Sequence, residues 1–244
     1  MEVWSLMSTQ GGRKLEFVPG YSVFLDGTIP ESYGGSGSTW TNLSGNGNNC
    51  GLVNSPTYSI TPAGAGFLNF NGSSQYGSIG ELGLGGNFTL IAWVKKNNSS
   101  SEGYFIGAGW QSAINAVNFG VTGLTPTLNS GWGWGNRKEV AAGAIDTSRW
   151  HHLCAVKSSG VGYVYVNGLL QGSGVFNPGY YSDGAAATSF IGRSAYESPD
   201  FFGDPGEYRY FGGSLGMVLI YSGVVLSSGQ VLDNYNQTKG RFGR

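Results

Sequence analysis

The sequence predicts an all-β fold: two antiparallel sheets packed as a sandwich, with one short helix near the C-terminus. Three observations predict it. Short apolar runs recur from residue 67 onward at the spacing of β strands joined by tight turns. Glycine makes up 44 of the 244 residues, about 18% against a usual ~7%, and it clusters with Asn and Ser between those runs. The central runs are apolar on both faces, as expected where sheets pack on each other rather than facing water on one side.

In chain order, residues 1–20 show no periodicity and read as an N-terminal arm that is ordered by contacts with something else. The run Tyr21–Leu25 is the first strand. Three turn clusters follow, at 34–38, 44–49 and 61–66, where Gly and Asn tolerate positive φ. Between them, Thr39–Leu43 and Gly51–Val53 are short edge pieces. The later strands are expected at Phe67–Phe70, Tyr76–Ile79, Phe88–Lys95, Tyr104–Ile106, Ala116–Val121, Glu139–Ala142, Trp150–Lys157, Gly162–Val166, Ser189–Gly192 and Tyr208–Tyr221. In the third of these, Phe88, Leu90, Ala92 and Val94 share one face, and Ile91 and Trp93 the other. Asn167-Gly168 after Tyr163–Val166 marks a type I′ hairpin. Ser227 with Gln230 matches a capping box, and Val231, Leu232 and Tyr235 give the helix its apolar stripe. No repeat of 20–50 residues is present, which argues against a propeller or solenoid. Residues 21–244 are thus expected to form one domain.

Composition removes several function classes. Thirteen Lys and Arg against fourteen Asp and Glu give a net charge of −1, with no basic footprint for nucleic acid. Glycine has no three-residue period, so collagen is excluded, and aromatic and β-branched residues throughout the chain argue against disorder. No run of 18 apolar residues exists to span a membrane as a helix. Met1–Met7 lacks a basic start and a continuous apolar stretch, so no secretory signal is expected and the chain reads as made in a reducing cytoplasm. Cys50 and Cys154 then read as two reduced, partly buried thiols, with one long-range disulfide as the alternative.

Three blocks, Tyr21–Asp26, Thr39–Asn48 and Leu68–Gly72, resemble the opening of LamG-like domains of the concanavalin A-like lectin/glucanase superfamily. Phe88–Val94, Trp150–Leu153 and Tyr163–Gly168 are similar to its central strands, and Phe211–Tyr221 with Leu226-Ser227 to its closing strand and helix. The resemblance covers residues 21–242 and implies a jelly-roll sandwich. A narrower string, Asn234–Gly243, resembles the ending of LamG-like proteins of tailed bacteriophages, including virion and appendage proteins. The fold alone does not set the function, since lectins, hydrolases and adhesion modules share it.

Hydrolysis is not expected. Glucanases of this superfamily carry Glu-x-Asp-x-x-Glu on one strand, and that pattern is absent. The nearest acids, Glu197 with Asp200 and Asp204 with Glu207, sit in a Gly/Pro-broken stretch that reads as loop. His151 and His152 are adjacent on a strand, so they point to opposite faces and read as core or sheet-surface residues. Gly83–Gly86 and Gly107–Gly109 lack a following Lys-Ser/Thr and read as turns, not phosphate cradles. The resemblance implies Ca²⁺ in many relatives, but neutral residues stand where acids are usual; Asp26, Asn42 and Gln75 are only weak candidates, and no cofactor or metal is expected. For glycan binding, the candidates are Trp132 and Trp134, which share one face if extended, with Tyr180 and Tyr181 in the loop 177–183, and Tyr196, Phe201, Phe202, Tyr208 and Tyr210 in the segment 196–210. The alternative for the two tryptophans is a place in the core.

The function expected from these readings is that of a non-enzymatic virion component, a capsid decoration or cement protein or a tail-appendage part. Its partners would be other virion proteins or copies of itself, through the arm, the loops and the tail 237–244 with Lys239, Arg241 and Arg244. The alternative is a lectin-like host-attachment module that binds cell-surface glycan.

Overall fold

The computed structural model describes residues 9–10, 13–99, 102–109, 116–130, 138–177, 188–195 and 209–244. Strands β1 (Thr9–Gln10) and β2 (Arg13–Lys14) form a small antiparallel ribbon. Strands β3 (Val23–Asp26), β4 (Thr39–Trp40), β5 (Cys50–Val53), β6 (Thr57–Ile60), β7 (Gly66–Asn71) and β8 (Tyr76–Ile79) follow. Then come β9 (Phe88–Lys96), β10 (Gly103–Ala108), β11 (Val117–Thr122), β12 (Thr125–Ser130), β13 (Lys138–Ala141) and β14 (His151–Ser158). The last strands are β15 (Val161–Val166), β16 (Leu169–Val175), β17 (Ser189–Ile191) and β18 (Gly212–Ser222). Helix α1 (Ser228–Thr238) and a 3₁₀ turn at Lys239–Phe242 end the chain.

Two antiparallel sheets form the sandwich. The first runs β16-β15-β14-β9-β18-β7-β6, with β3 also paired to β18. The second runs β13-β12-β11-β10-β17-β8-β5-β4. The alternation expected for β9 holds: Leu90, Ala92 and Val94 enter the core between the sheets with Phe105, Phe119, Leu128 and Ile220. Ile91 and Trp93 enter a second apolar cluster with Met217, Leu219, Tyr221, Val231 and Phe242. The second face of this sheet is therefore covered by α1, the 3₁₀ turn and residues 17–21, not by another sheet. The Asn167-Gly168 turn has φ of 52° and 81°, as a type I′ hairpin requires. Ser227 and Gln230 form the expected capping box.

Part of each end is committed within the domain. The tail folds onto its own domain: the Arg241 guanidinium pairs with the Asp26 carboxylate, both buried, and the Phe242 ring stacks on Trp93 at 4.4 Å. These side chains are spent inside the domain, so they do not reach across to a neighbour. The last residues of the expected arm behave likewise. Glu16 and Gln237 exchange hydrogen bonds of 2.7 and 3.0 Å, the Tyr221 hydroxyl donates to Val18 O at 2.9 Å, and Phe17 and Val18 pack on the second cluster. An apolar sheet face is the contact that orders them.

Both thiols are buried and unpaired. Cys50 faces the inter-sheet core and Cys154 the helix side, so the sheet stands between them. Burial pushes the Cys50 thiol up to about 12 and raises Cys154 as well.

Candidate functional site

The outward face of the second sheet carries a polar and aromatic cluster: Asn118, Asn129 and Tyr104 are buried in it, while Glu102, Glu139, Tyr76 and Tyr210 keep exposed surface. Alternation puts them there: Phe119 and Leu128 point into the core, so their neighbours Asn118 on β11 and Asn129 on β12 point out. The Asn129 amide donates to the Tyr104 hydroxyl at 2.6 Å, and that hydroxyl donates to the Glu102 carboxylate. The other Glu102 oxygen meets Arg209 Nε at 3.5 Å. In the register of β12 with β13, Glu139 stands opposite Asn129 on the same face. A row of carboxylate, phenol, amide and carboxylate thus spans four strands, from β10 across β11 to β12 and β13.

Beside this row, the chain at 192–195 passes over β10. A Cβ on Gly107 would lie 2.4 Å from Ala195 N, so only glycine admits the crossing. The Asn118 side-chain oxygen accepts from Ala195 N at 3.0 Å, and Ser194 and Arg209 are tied by Arg209 N donating to Ser194 Oγ at 3.2 Å. The Arg193 guanidinium lies 3.6 Å from the Phe190 ring centre and 4.3 Å from that of Tyr76, a cation held between two π faces. Tyr76 and Tyr210 are half-buried, with ring centres 6.2 Å apart and planes at 49°. Their open surfaces form an apolar shelf next to hydrogen-bonding groups.

Of the residues expected from sequence, Tyr210 joins this face. Trp132, Trp134, Tyr180, Tyr181, Tyr196 and Tyr208 lie outside the described residues, as do Phe201, Phe202 and the acids of 197–207. The histidines are structural. His152 is wholly buried, edge-on to Trp93 at 5.5 Å with its Nε2 3.3 Å from the Asn234 side-chain oxygen, and burial pushes its pKa down to about 4. His151 is lowered by burial too, against the pull of Asp146, whose carboxylate lies 3.6 Å away.

The weak cation candidates are committed elsewhere. Asp26 is neutralised by Arg241 and accepts from Thr28 N at 2.9 Å. The Asn42 oxygen caps Phe24 N at 2.8 Å and Ser44 N at 3.0 Å. The Gln75 oxygen takes Asn71 N at 2.9 Å while its amide donates to Asn54 O and Ser55 O. Among the described residues no group of three or more His, Cys, Asp or Glu side chains is placed to hold a metal ion.

The Laminin_G_3 family profile, described as the concanavalin A-like lectin/glucanases superfamily, matches residues 70–231, more than half of the chain. The chain belongs to the concanavalin A-like lectin/glucanase superfamily. Solved structures agree on this superfamily fold. Domain 4 of AbnA, an extracellular arabinanase of Geobacillus stearothermophilus solved with arabinotriose, is 19% identical with a TM-score of 0.66, over 88% of this chain and 98% of that domain. The binding domain of Paraclostridial Mosquitocidal Protein 1 is 12% identical with a TM-score of 0.63, over 89% of this chain and 52% of its own. The binding domain of botulinum neurotoxin DC, solved with rat synaptotagmin II, is 12% identical with a TM-score of 0.60, over 89% and 51%. This superfamily member therefore spans about half the length of those two binding domains, and at such identities the likeness is one of fold. No curated protein sequence matches the chain.

Proposed function

We propose that this chain is a non-enzymatic recognition domain of a bacteriophage virion, a decoration or appendage component whose second sheet presents a carbohydrate-binding face. The outward face carries this reading. A sugar ring offers an apolar C–H face and a rim of hydroxyls, and needs an aromatic shelf beside donors and acceptors. Tyr76 and Tyr210 supply the shelf; exposed Glu139 and part-exposed Glu102 supply acceptors, with buried Tyr104 and Asn129 beneath them holding Glu102 in place. The arabinotriose bound to domain 4 of AbnA supports the same use of this fold.

A hydrolase would need two carboxyl groups facing one glycosidic bond, about 5–9.5 Å apart. Here Glu102 is engaged by Tyr104 and Arg209, and the phenol and amide stand between it and Glu139. That arrangement favours holding a sugar over cleaving one. The place in a virion rests on the string Asn234–Gly243. A second reading, attachment through protein contacts alone, is favoured by the neurotoxin DC domain, solved with rat synaptotagmin II on the same fold.

A glycan array with the purified protein tests the main reading. Binding to at least one glycan is expected, weakened about tenfold or more by Tyr76→Ala and by Tyr210→Ala. Silence on all glycans, with the protein found on intact particles by immunogold labelling, would leave the protein-contact reading. Release of reducing ends from a polysaccharide, lost in Glu139→Gln, would overturn the non-enzymatic assignment.

A further inference from the structure

Loss of a side-chain amide is fastest where asparagine precedes glycine, because glycine has no Cβ to shield its nitrogen and its backbone turns freely. The chain holds three such pairs, Asn46-Gly47, Asn71-Gly72 and Asn167-Gly168. The reaction needs Cγ of the asparagine to swing onto the next nitrogen, so a side chain bonded elsewhere is protected. Asn71 is exposed but held at four points. Its Oδ1 accepts from Ser73 N, Ser74 N and Gln75 N at 3.0, 3.0 and 3.1 Å, and its Nδ2 donates to Ser74 Oγ at 3.0 Å. Gly72 is packed as well, since a Cβ there would lie 3.0 Å from Gly212 Cα. Asn167 is half-buried in its hairpin, where its Oδ1 accepts from His152 N at 3.0 Å and its N donates to His152 O at 2.7 Å. Gly168 lies against α1, with Leu232 Cδ1 2.8 Å from where its Cβ would stand. Asn46 has none of this. It is exposed in the turn cluster 44–49, and among the described residues its one side-chain hydrogen bond is a long one, from Nδ2 to Ser22 O at 3.3 Å. Gly47 has φ of 74°, and a Cβ on it or on Gly45 would meet nothing within 4 Å.

We propose that Asn46 is a self-modification site, at which the folded protein deamidates while Asn71 and Asn167 are kept. Gly47 N, losing its proton to solvent base, attacks Asn46 Cγ, and the new N–Cγ bond closes a five-membered succinimide. The Cγ–Nδ2 bond breaks and Nδ2 leaves as ammonia, carrying one proton more than it held in the amide. Water then opens the ring. Attack at Cγ gives aspartate, and attack at the main-chain carbonyl carbon gives isoaspartate, in which the backbone runs through Cβ. One water is consumed and one ammonia released, with no change in oxidation state. The fold tolerates the product, because Ser22 O also accepts from Asn42 Nδ2 at 3.1 Å and from Ser44 Oγ at 2.8 Å, so the longest of three bonds is the one lost. The added backbone carbon of isoaspartate enters the open space around Gly45 and Gly47. The result is a slow, one-way gain of negative charge on the loop between β4 and β5, with the sandwich intact.

Peptide mapping by mass spectrometry tests this on the full chain, incubated at mildly alkaline pH both folded and unfolded in urea. In the folded chain the Asn46 peptide should change from amide to acid about tenfold or more faster than the Asn71 and Asn167 peptides, which react only when their turns open. In urea that protection is gone, and the three rates should converge. Aspartate and isoaspartate should both form at residue 46, the second read out by an isoaspartyl methyltransferase. Asn46→Gln should remove the reaction, and Asn46→Asp should elute on ion exchange with the aged protein while keeping the far-UV circular dichroism and thermal midpoint of the fresh one. A folded chain that keeps its Asn46 amide while the unfolded chain loses it would overturn the proposal. So would native reaction at Asn71 or Asn167 as fast as at Asn46, or an Asn46→Asp variant that unfolds. The readout is the covalent state of one loop, so it stands whether or not the second sheet binds a glycan.

Discussion

Phe242→Ala tests how the C-terminal turn closes the domain. The Phe242 ring is buried, stacked on Trp93 with planes at 16° and tilted against Trp150 at 5.0 Å. It fills the space over Gly216, where a Cβ would stand 2.3 Å from a ring carbon. Truncating a buried Phe costs about 3–5 kcal/mol. The loss here should fall near the lower end, about 3 kcal/mol, because a terminal turn relaxes more easily than a central strand. For a domain of this size that corresponds to a fall in Tm of roughly 6–12 °C, measured by calorimetry or by circular dichroism. Gly216→Ala supplies the partner for a double-mutant cycle. Gly216 does not need a positive φ, so the added methyl acts only by crowding the ring, at about 1–3 kcal/mol. With Phe242 already truncated, the same methyl enters vacated space and should cost little, which gives a coupling of about 1 kcal/mol or more. A single-variant loss below about 1 kcal/mol, or additive behaviour in the cycle, would refute the claim that this ring holds the tail to the sheet.

Three more outcomes follow from the same packing. Arg241→Met strands the Asp26 carboxylate without its guanidinium and should cost about 3–5 kcal/mol, while Asp26→Asn with Arg241→Met should recover part of it; equal losses in the single and double variants, by urea denaturation, would contradict the pairing. His152 is held neutral by burial, with its pKa pushed down to about 4. The unfolded chain therefore takes up a proton near pH 6.5 that the folded chain refuses, and about 3 kcal/mol of stability should be lost as the pH falls from about 6.5 toward 4. His152→Gln should flatten that slope between pH 5 and 7, where carboxylates contribute least. Finally, the thiols of Cys50 and Cys154 are buried and raised, so a thiol reagent should modify neither in the native protein and both after unfolding; prompt native reaction at either would show that its strand opens readily.

The fold was legible where side-chain periodicity and turn chemistry act locally. The alternation in β9, the capping box at Ser227 and the Asn167-Gly168 turn all follow from neighbours in sequence. The strands that escaped notice lack such a pattern. β12 carries Pro126 and alternates small polar residues with Leu128, β6 is Thr-Tyr-Ser-Ile at an edge, and β16 exposes its apolar residues instead of burying them. Apolarity on both faces of β9 showed that both faces are covered, but not by what; one is covered by a sheet and the other by α1 and residues 17–21. The candidate site was less legible still. Glu102 and Tyr104 at β10, Asn129 on β12 and Glu139 on β13 have no motif linking them, and they meet only through the pairing β10-β11-β12-β13. The available signal was weak: polar Asn118 and Asn129 each set between core residues of a strand.

The residues that resemble the ending of phage proteins are occupied in closing the domain. Within Asn234–Gly243, Asn234 meets His152, Thr238 accepts from Trp93 Nε1 at 2.8 Å, Arg241 pairs with Asp26 and Phe242 stacks on Trp93. The string therefore also seals the helix side of the sheet. The outward face of the second sheet stands in a different position. Tyr104, Asn118 and Asn129 are buried polar groups on a sheet face that apolar side chains could cover at lower cost. Each is bonded, yet a row of hydrogen bonds among phenol, amide and carboxylate adds little to stability beyond offsetting its own desolvation. Such a buried network is better explained by the exposed groups it fixes in place, Glu102 and Glu139 beside Tyr76 and Tyr210, than by what it contributes to folding, so this face is where recognition should be sought.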